Sequence, residues 1–350
     1  DVSECVTMDL KSVGNSIVTA FNKGGAGGTV TLYADNASSV AGVTVSNANN
    51  NFSNITVTGA TTIAGWSNTD GGQPTKTIQG NTFSNWVGGT SAVTAMNINF
   101  GTTATSTVTQ NVISGITSGG AITGLVLGSS IGTANVSQNT ITGLASTGAS
   151  AVQGMTTAAT TSNLSKNKIG DLSGSNASTT VNGILVSAGT TVSVANNLIG
   201  DLRATAATAT TDAIRGISLT STTATSNLNI SFNTIWLNAS STGANFSTSG
   251  IFHTTSATAT TAALNMRDNI VVNLSTPAGT DIASAYRRSS TTLTNYGSTS
   301  NNNLFYAGAP AANRVVFYDG TNSDQTLGAF KTRVTPREAQ SVTENPAFLS

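Results

Sequence analysis

"SKNKIGDL" (Ser165–Leu172) and "VANNLIGDL" (Val194–Leu202) share the phrase Asn-x-Ile-Gly-Asp-Leu, and the two copies stand 30 residues apart. Self-similarity at a period of about 20–50 residues is the signature of a solenoid or an array. With the asparagine as anchor, the phrase extends to Asn81, Asn111, Asn139, Asn167, Asn197, Asn233 and Asn269, with Asn303 as an eighth member. The intervals are 30, 28, 28, 30, 36, 36 and 34 residues.

Further columns keep step with the anchor. Three residues before it stand Ile78, Val108, Val136, Leu164, Val194, Ile230 and Met266. Two residues after it stand Phe83, Ile113, Ile141, Ile169, Ile199, Ile235 and Val271. Four after it, Asn85, Gly115, Gly143, Asp171, Asp201 and Asn273 occupy a turn-like column that Leu237 interrupts. A glycine opens each of "GLVLG" (Gly124), "GMTTA" (Gly154), "GILVS" (Gly183), "GISLT" (Gly216) and "GIFHT" (Gly250). Apolar residues at period two describe short strands with one inward face. Gly, Asn and Asp tolerate the left-handed backbone of a sharp bend.

Three short strands per repeat, separated by corners, predict an all-β chain: a right-handed parallel β-helix of about ten rungs. At ~4.8 Å per rung it would be a rod of roughly 50 Å. Like residues then stack on like. The aliphatic columns make the core and the asparagine amides make a ladder. A leucine-rich repeat would also use "LNISFNTI" (Leu228–Ile235). These repeats are mostly too long for it, and their connections are Thr/Ala/Ser loops rather than amphipathic helices. Leu10, Val13, Ile17, Ala20 and Phe21 near helical spacing predict a short capping helix within residues 1–28. The solenoid is expected over 29–318, with about two irregular rungs in 36–77, and a closing segment over 319–350.

"GISLTSTTATSNLNISFNTIWLN" (Gly216–Asn238) resembles the repeat unit of the pectate-lyase-like parallel β-helix superfamily. "SIVTAFNKGGAGGTVTLYADN" (Ser16–Asn36) is similar to that superfamily's capping helix and first strand. "DQTLGAFKTRVTPREAQSVTENPAFLS" (Asp324–Ser350) resembles the closing segment of secreted β-helix proteins of the Bacteroidota type, where "NPAFLS" leads into another strand. The resemblance implies a secreted or cell-surface location and a piece of a longer chain. The superfamily holds lyases, hydrolases, adhesins and spacers alike, so fold does not select among them.

Composition narrows the choice. Fourteen acidic and fourteen basic residues balance. That removes the basic excess that nucleic-acid binding draws on. Cys5 is the only cysteine, so no intrachain disulfide forms. No apolar run is long enough for a membrane span. The carboxylates Asp171 and Asp201 share one column in consecutive rungs. They invite either a structural calcium ion or compensation by Arg203 or Lys168; the plain alternative is two exposed turn residues. His253, the only histidine, is expected to point inward with its ring hydrogen-bonded. Arg267, Asp268, Asp281, Tyr286, Arg287 and Arg288 form the densest charged stretch. Arg267, Asp268 and Arg288 are its candidates for catalysis.

Against an enzyme, Asp70 is the only acidic residue between Asn36 and Gly170. Trp236 is expected outward, where its ring could stack on a sugar. Threonine runs such as "TSATATTAA" (Thr255–Ala263) raise an ice-binding face, which connections of unequal length would disrupt. The favoured expectation is a non-catalytic structural or adhesive module facing an extracellular glycan, another cell-surface component or further domains of its own chain. The alternative is a polysaccharide lyase or glycoside hydrolase.

Overall fold

The computed structural model describes residues 9–35, 42–69, 73–99, 101, 105–208, 211–346 and 348. Cys5 and Asp70 lie outside the described residues. The described residues wind as a parallel β-solenoid of three sheets, with nine, twelve and eleven strands. The first sheet carries the strands that lead into each anchor asparagine. The second carries those that follow it, and the third the glycine-bearing strands. Among the described residues, nine turns place a strand in all three sheets, and a tenth has strands in the second and third.

The columns align as the repeat requires. Ile78, Val108, Val136, Leu164, Val194, Ile230 and Met266 are successive partners in the first sheet. Phe83, Ile113, Ile141, Ile169, Ile199, Ile235 and Val271 are successive partners in the second. All are buried and belong to one continuous core. Each turn therefore buries its apolar side against its neighbours and none could do so alone.

The asparagine ladder is longer than the repeat search finds. It begins at Asn15 and Asn50, whose residues three places back are Ser12 and Asn47 instead of aliphatics. From Asn15 to Asn303, each Nδ2 donates to the Oδ1 of the next asparagine at 2.9–3.0 Å. That same Oδ1 accepts the backbone N–H of the preceding rung's asparagine at 3.0 Å.

Two details of the sequence reading are corrected. The sharp corner lies one residue before the anchor: Asn49, Gly80, Gln110, Gln138, Lys166, Asn196, Phe232, Asp268 and Asn302 all have positive φ. A second left-handed site falls four residues after the anchor, at Asn54, Asn85, Gly115, Gly143, Asp171 and Asp201. The glycines also do not open their strands. Gly124, Gly154 and Gly183 are third residues of theirs. There the in–out alternation resets. A Cβ on Gly183 would lie 2.6 Å from Gly216 O and 2.6 Å from Ile199 Cγ2.

The expected N-terminal capping helix does not form over the described residues 9–28. Asp9–Val13, Ser16–Ile17 and Phe21–Lys23 are strands, the first paired with Thr44–Ala48. Val13 and Phe21, inward in the helical reading, are exposed. Gly14, at φ 72°, and Asn15 form the same corner as in every later rung, and a corner cannot sit inside a helix. The solenoid thus begins before residue 29.

A helix occurs instead at the other end, Leu327–Val334, with Thr326 Oγ1 accepting the Ala329 N–H at its N-terminus. Its Phe330 stacks on Phe317 at 4.7 Å and closes the core. Glu338 finishes the ladder: its carboxylate accepts from Asn303 Nδ2 at 2.9 Å, from Ser341 Oγ and from Tyr296 Oη. Ser341 Oγ in turn accepts the Asn303 N–H, as the next asparagine would.

Candidate functional site

A groove of about 680 Å³ runs along the outer face of the second sheet. Its floor comes from one outward column, in which Thr142, Gly170, Gly200 and Trp236 follow one another from rung to rung. Two glycines leave the floor bare, and Trp236 stands at one end of it. Lys168, Leu198 and Thr234 line one side; Asp171 and Asp201 line the other, and Phe348 also contributes to the wall. Leu198 is about half exposed, an uncommon place for a leucine within a strand.

The structure thereby joins the Asp171–Asp201 pair to Trp236, which the sequence offered separately: all three share one groove. Asp171 and Asp201 hold the left-handed bend, with φ 51° and 49°, and point outward. Arg203 bridges them, Nη2 to Asp171 Oδ1 and Nη1 to Asp201 Oδ1 at 3.2 Å. The guanidinium relieves the like-charge repulsion of stacked carboxylates. Among the described residues no group of three or more His, Cys, Asp or Glu side chains comes together. A calcium ion would have to displace Arg203 and take most of its ligands from water or backbone oxygens.

The candidates for catalysis do not converge. Arg267 is exposed at the end of its strand and donates to Thr299 O at 2.8 Å. Asp268 is the left-handed corner residue of its rung. Arg288 is buried under the third sheet, where it donates to His253 Nδ1 at 2.8 Å, Asn295 Oδ1 at 2.8 Å and Thr292 O at 2.7 Å. His253 Nε2 lies 2.9 Å from Ala262 O. Burial, reinforced by Arg288, pulls the imidazole down to about 3. It is a neutral core histidine, as its column suggested.

A polar cluster on the third sheet escaped the repeat search. The buried Asp212 carboxylate accepts from Ser247 Oγ at 2.8 Å, Ser249 Oγ at 2.8 Å, Arg215 Nε at 3.3 Å and Arg287 Nη1. Arg215 lies over the Phe252 ring at 3.6 Å, and Arg287 over Tyr318 at 4.9 Å. Beside them Asp281 keeps Oδ2 shut from solvent with no hydrogen-bond partner. Burial raises its carboxyl above the usual range, Arg287 opposes this and Asp212 adds to it.

Threonines do align in the first sheet, where Thr105, Thr133, Thr161 and Thr191 are successive partners before Asn227 and Ala263 end the row. Among the described residues, no helix is long and apolar enough to cross a membrane.

Fold and site together define a parallel β-solenoid with an aromatic-ended groove on one flat face. No family model matches the chain, and no curated protein matches it in sequence. Among solved structures it is similar to the Azotobacter vinelandii Mannuronan C-5 epimerase AlgE6 A-module, at 11% identity, over 94% of this chain and 92% of that one, with a TM-score of 0.30. A likeness at that level carries no argument about chemistry.

Proposed function

We propose that the chain is a non-catalytic solenoid module of a secreted or cell-surface protein, a stiff spacer whose second sheet adheres to an extracellular glycan. The groove carries this reading: Trp236 is the one tryptophan that is not fully buried, and its partly exposed ring lines one end of a trough floored by glycine. The resemblance of the closing segment to secreted β-helix proteins supports the location. The groove's two carboxylates are tied to Arg203, which leaves neither free as a base. The test is a depolymerisation screen on acidic and neutral polysaccharides, with calcium or chelator, alongside retention of the protein on the same polysaccharides. Retention without new chain ends is expected. New chain ends on any of the polysaccharides would overturn the non-catalytic reading.

One observation favours a second reading, a polysaccharide lyase or hydrolase: the unpartnered Asp281 oxygen near Arg287 and Asp212. Asp281→Asn would abolish turnover if that cluster does chemistry.

A further inference from the structure

The rim of the groove says which glycans fit. It carries Lys168 and Arg203 against Asp171 and Asp201, two cations and two carboxylates, and so presents no net charge. Arg203 is already committed to both carboxylates. An acidic glycan would bring its own carboxylates up to Asp171 and Asp201, where only Lys168 could answer them, and like charges at contact distance are costly.

A peptide finds little here. The strands beneath the groove are interior strands with a rung on either side, so no free backbone edge is available for an added strand. A neutral sugar chain meets what it needs: a flat aromatic face for its axial C–H groups, and carboxylate, ammonium and threonine hydroxyl groups for its own hydroxyls.

Direction follows from the floor. Thr142, Gly170, Gly200 and Trp236 are stacked rung on rung, so the trough runs along the solenoid axis, across the strands. Three steps of ~4.8 Å give a trough of about 14 Å, room for roughly two to three pyranose rings. The volume of about 680 Å³ lies within the range of ordinary ligand sites.

We propose that this groove binds a short stretch of a neutral, unbranched glycan laid along the axis, with one sugar ring stacked on Trp236. The inference rests on the glycan-binding reading above and adds the class, the direction and the contact residue.

Trp66 and Trp86 are fully buried, so a ligand-induced change in tryptophan fluorescence reports on Trp236. The experiment titrates the intact protein with neutral gluco-, xylo- and manno-oligosaccharides and with oligogalacturonate and oligomannuronate, by fluorescence and by calorimetry. The expected result is a saturable fluorescence change with at least one neutral series and an affinity insensitive to salt. Calorimetric affinity should then fall at least tenfold in Trp236→Ala and in Gly200→Val, which fills the floor, while Asn163→Ala, exposed on the first sheet and outside the groove, serves as a folded control that binds like the parent protein. Tighter binding of the acidic series, with the same Trp236 signal, overturns the neutral class and leaves the glycan-binding reading intact. Calorimetric binding without a fluorescence change, and unaltered in Trp236→Ala, overturns the groove as the site. No heat with any glycan overturns both this inference and the reading beneath it.

Discussion

Replacing Asn167 by leucine tests the ladder at its centre. Asn167 is buried. Its Oδ1 accepts the Asn139 backbone N–H at 3.0 Å and Asn139 Nδ2 at 2.9 Å. Its Nδ2 donates to Asn197 Oδ1 at 3.0 Å and Val136 O at 3.1 Å. Leucine removes all four bonds. At a net value of about 1 kcal/mol each they sum to about 4 kcal/mol. The Asn139 N–H, left in the core with no acceptor, pushes the cost up; the added apolar burial pulls it down by about 1 kcal/mol. The expected loss is about 3–4 kcal/mol in urea unfolding, with a selective loss of hydrogen-exchange protection at the Asn139 amide. Asn163 supplies the control. It is exposed and donates to Asn135 Oδ1 at 2.8 Å, and Asn163→Leu should cost no more than about 0.5 kcal/mol. Equal effects at the two sites, or an unchanged Asn139 amide, would refute the ladder as a source of stability.

Gly183→Ala should destabilise by about 1–3 kcal/mol, because its Cβ would press on a backbone carbonyl as well as on Ile199; Gly24→Ala, with nothing within 4 Å, should leave the melting temperature unchanged. Arg203→Ala should cost less than about 1 kcal/mol, since all three partners are solvated, yet it should make the melting temperature rise with added calcium where the parent protein does not respond. His253 is held neutral with a pKa of about 3, so it supports the fold fully above the ordinary imidazole value and less as pH falls toward 3; its ring resonances should not titrate between about pH 7 and 5. Burial raises the Glu338 carboxyl against the hydrogen bonds from Asn303, Ser341 and Tyr296. Its contribution is therefore complete below the ordinary carboxylate range and declines as pH rises through the folded value, a slope that Glu338→Gln should remove from the pH dependence of unfolding.

The solenoid was legible because its inward columns repeat the same chemistry at the same offset. What escaped was set by features that do not repeat. Asn15 and Asn50 belong to the ladder, but Ser12 and Asn47 stand where the later rungs have aliphatics. The left-handed corner before each anchor faces solvent, so Lys166, Gln110 and Phe232 can occupy it and no residue type marks it. The N-terminal strands imitate a helix because Leu10, Val13 and Ile17 fall three and four apart; pairing with the next rung decides their form. Trp236, Asp171 and Asp201 were each named, yet the groove joining them is made by what Gly170 and Gly200 lack. The Asp212 cluster draws residues 212, 215, 247, 249 and 287 from three turns, and no local motif announces such a meeting.

This division of labour bears on how such a module acquires a function. The inward positions are coupled through the stack: a change at one rung alters what both neighbours must pack against or bond to, as the four bonds of Asn167 show. Outward positions are coupled more weakly, through solvated contacts such as those of Arg203 with Asp171 and Asp201 or of Asn163 with Asn135. At the column three residues after the anchor, Thr142, Gly170, Gly200 and Trp236 differ in size and chemistry while the strands beneath them keep register. A groove can therefore arise from two losses of a side chain and one gain of an indole, without disturbing the core. The same freedom makes the surface uninformative in isolation, since each outward residue is individually permitted. Its meaning lies in the vertical neighbour supplied by a segment about one repeat away, and that is why the stacking of rungs has to be solved before the face can be read.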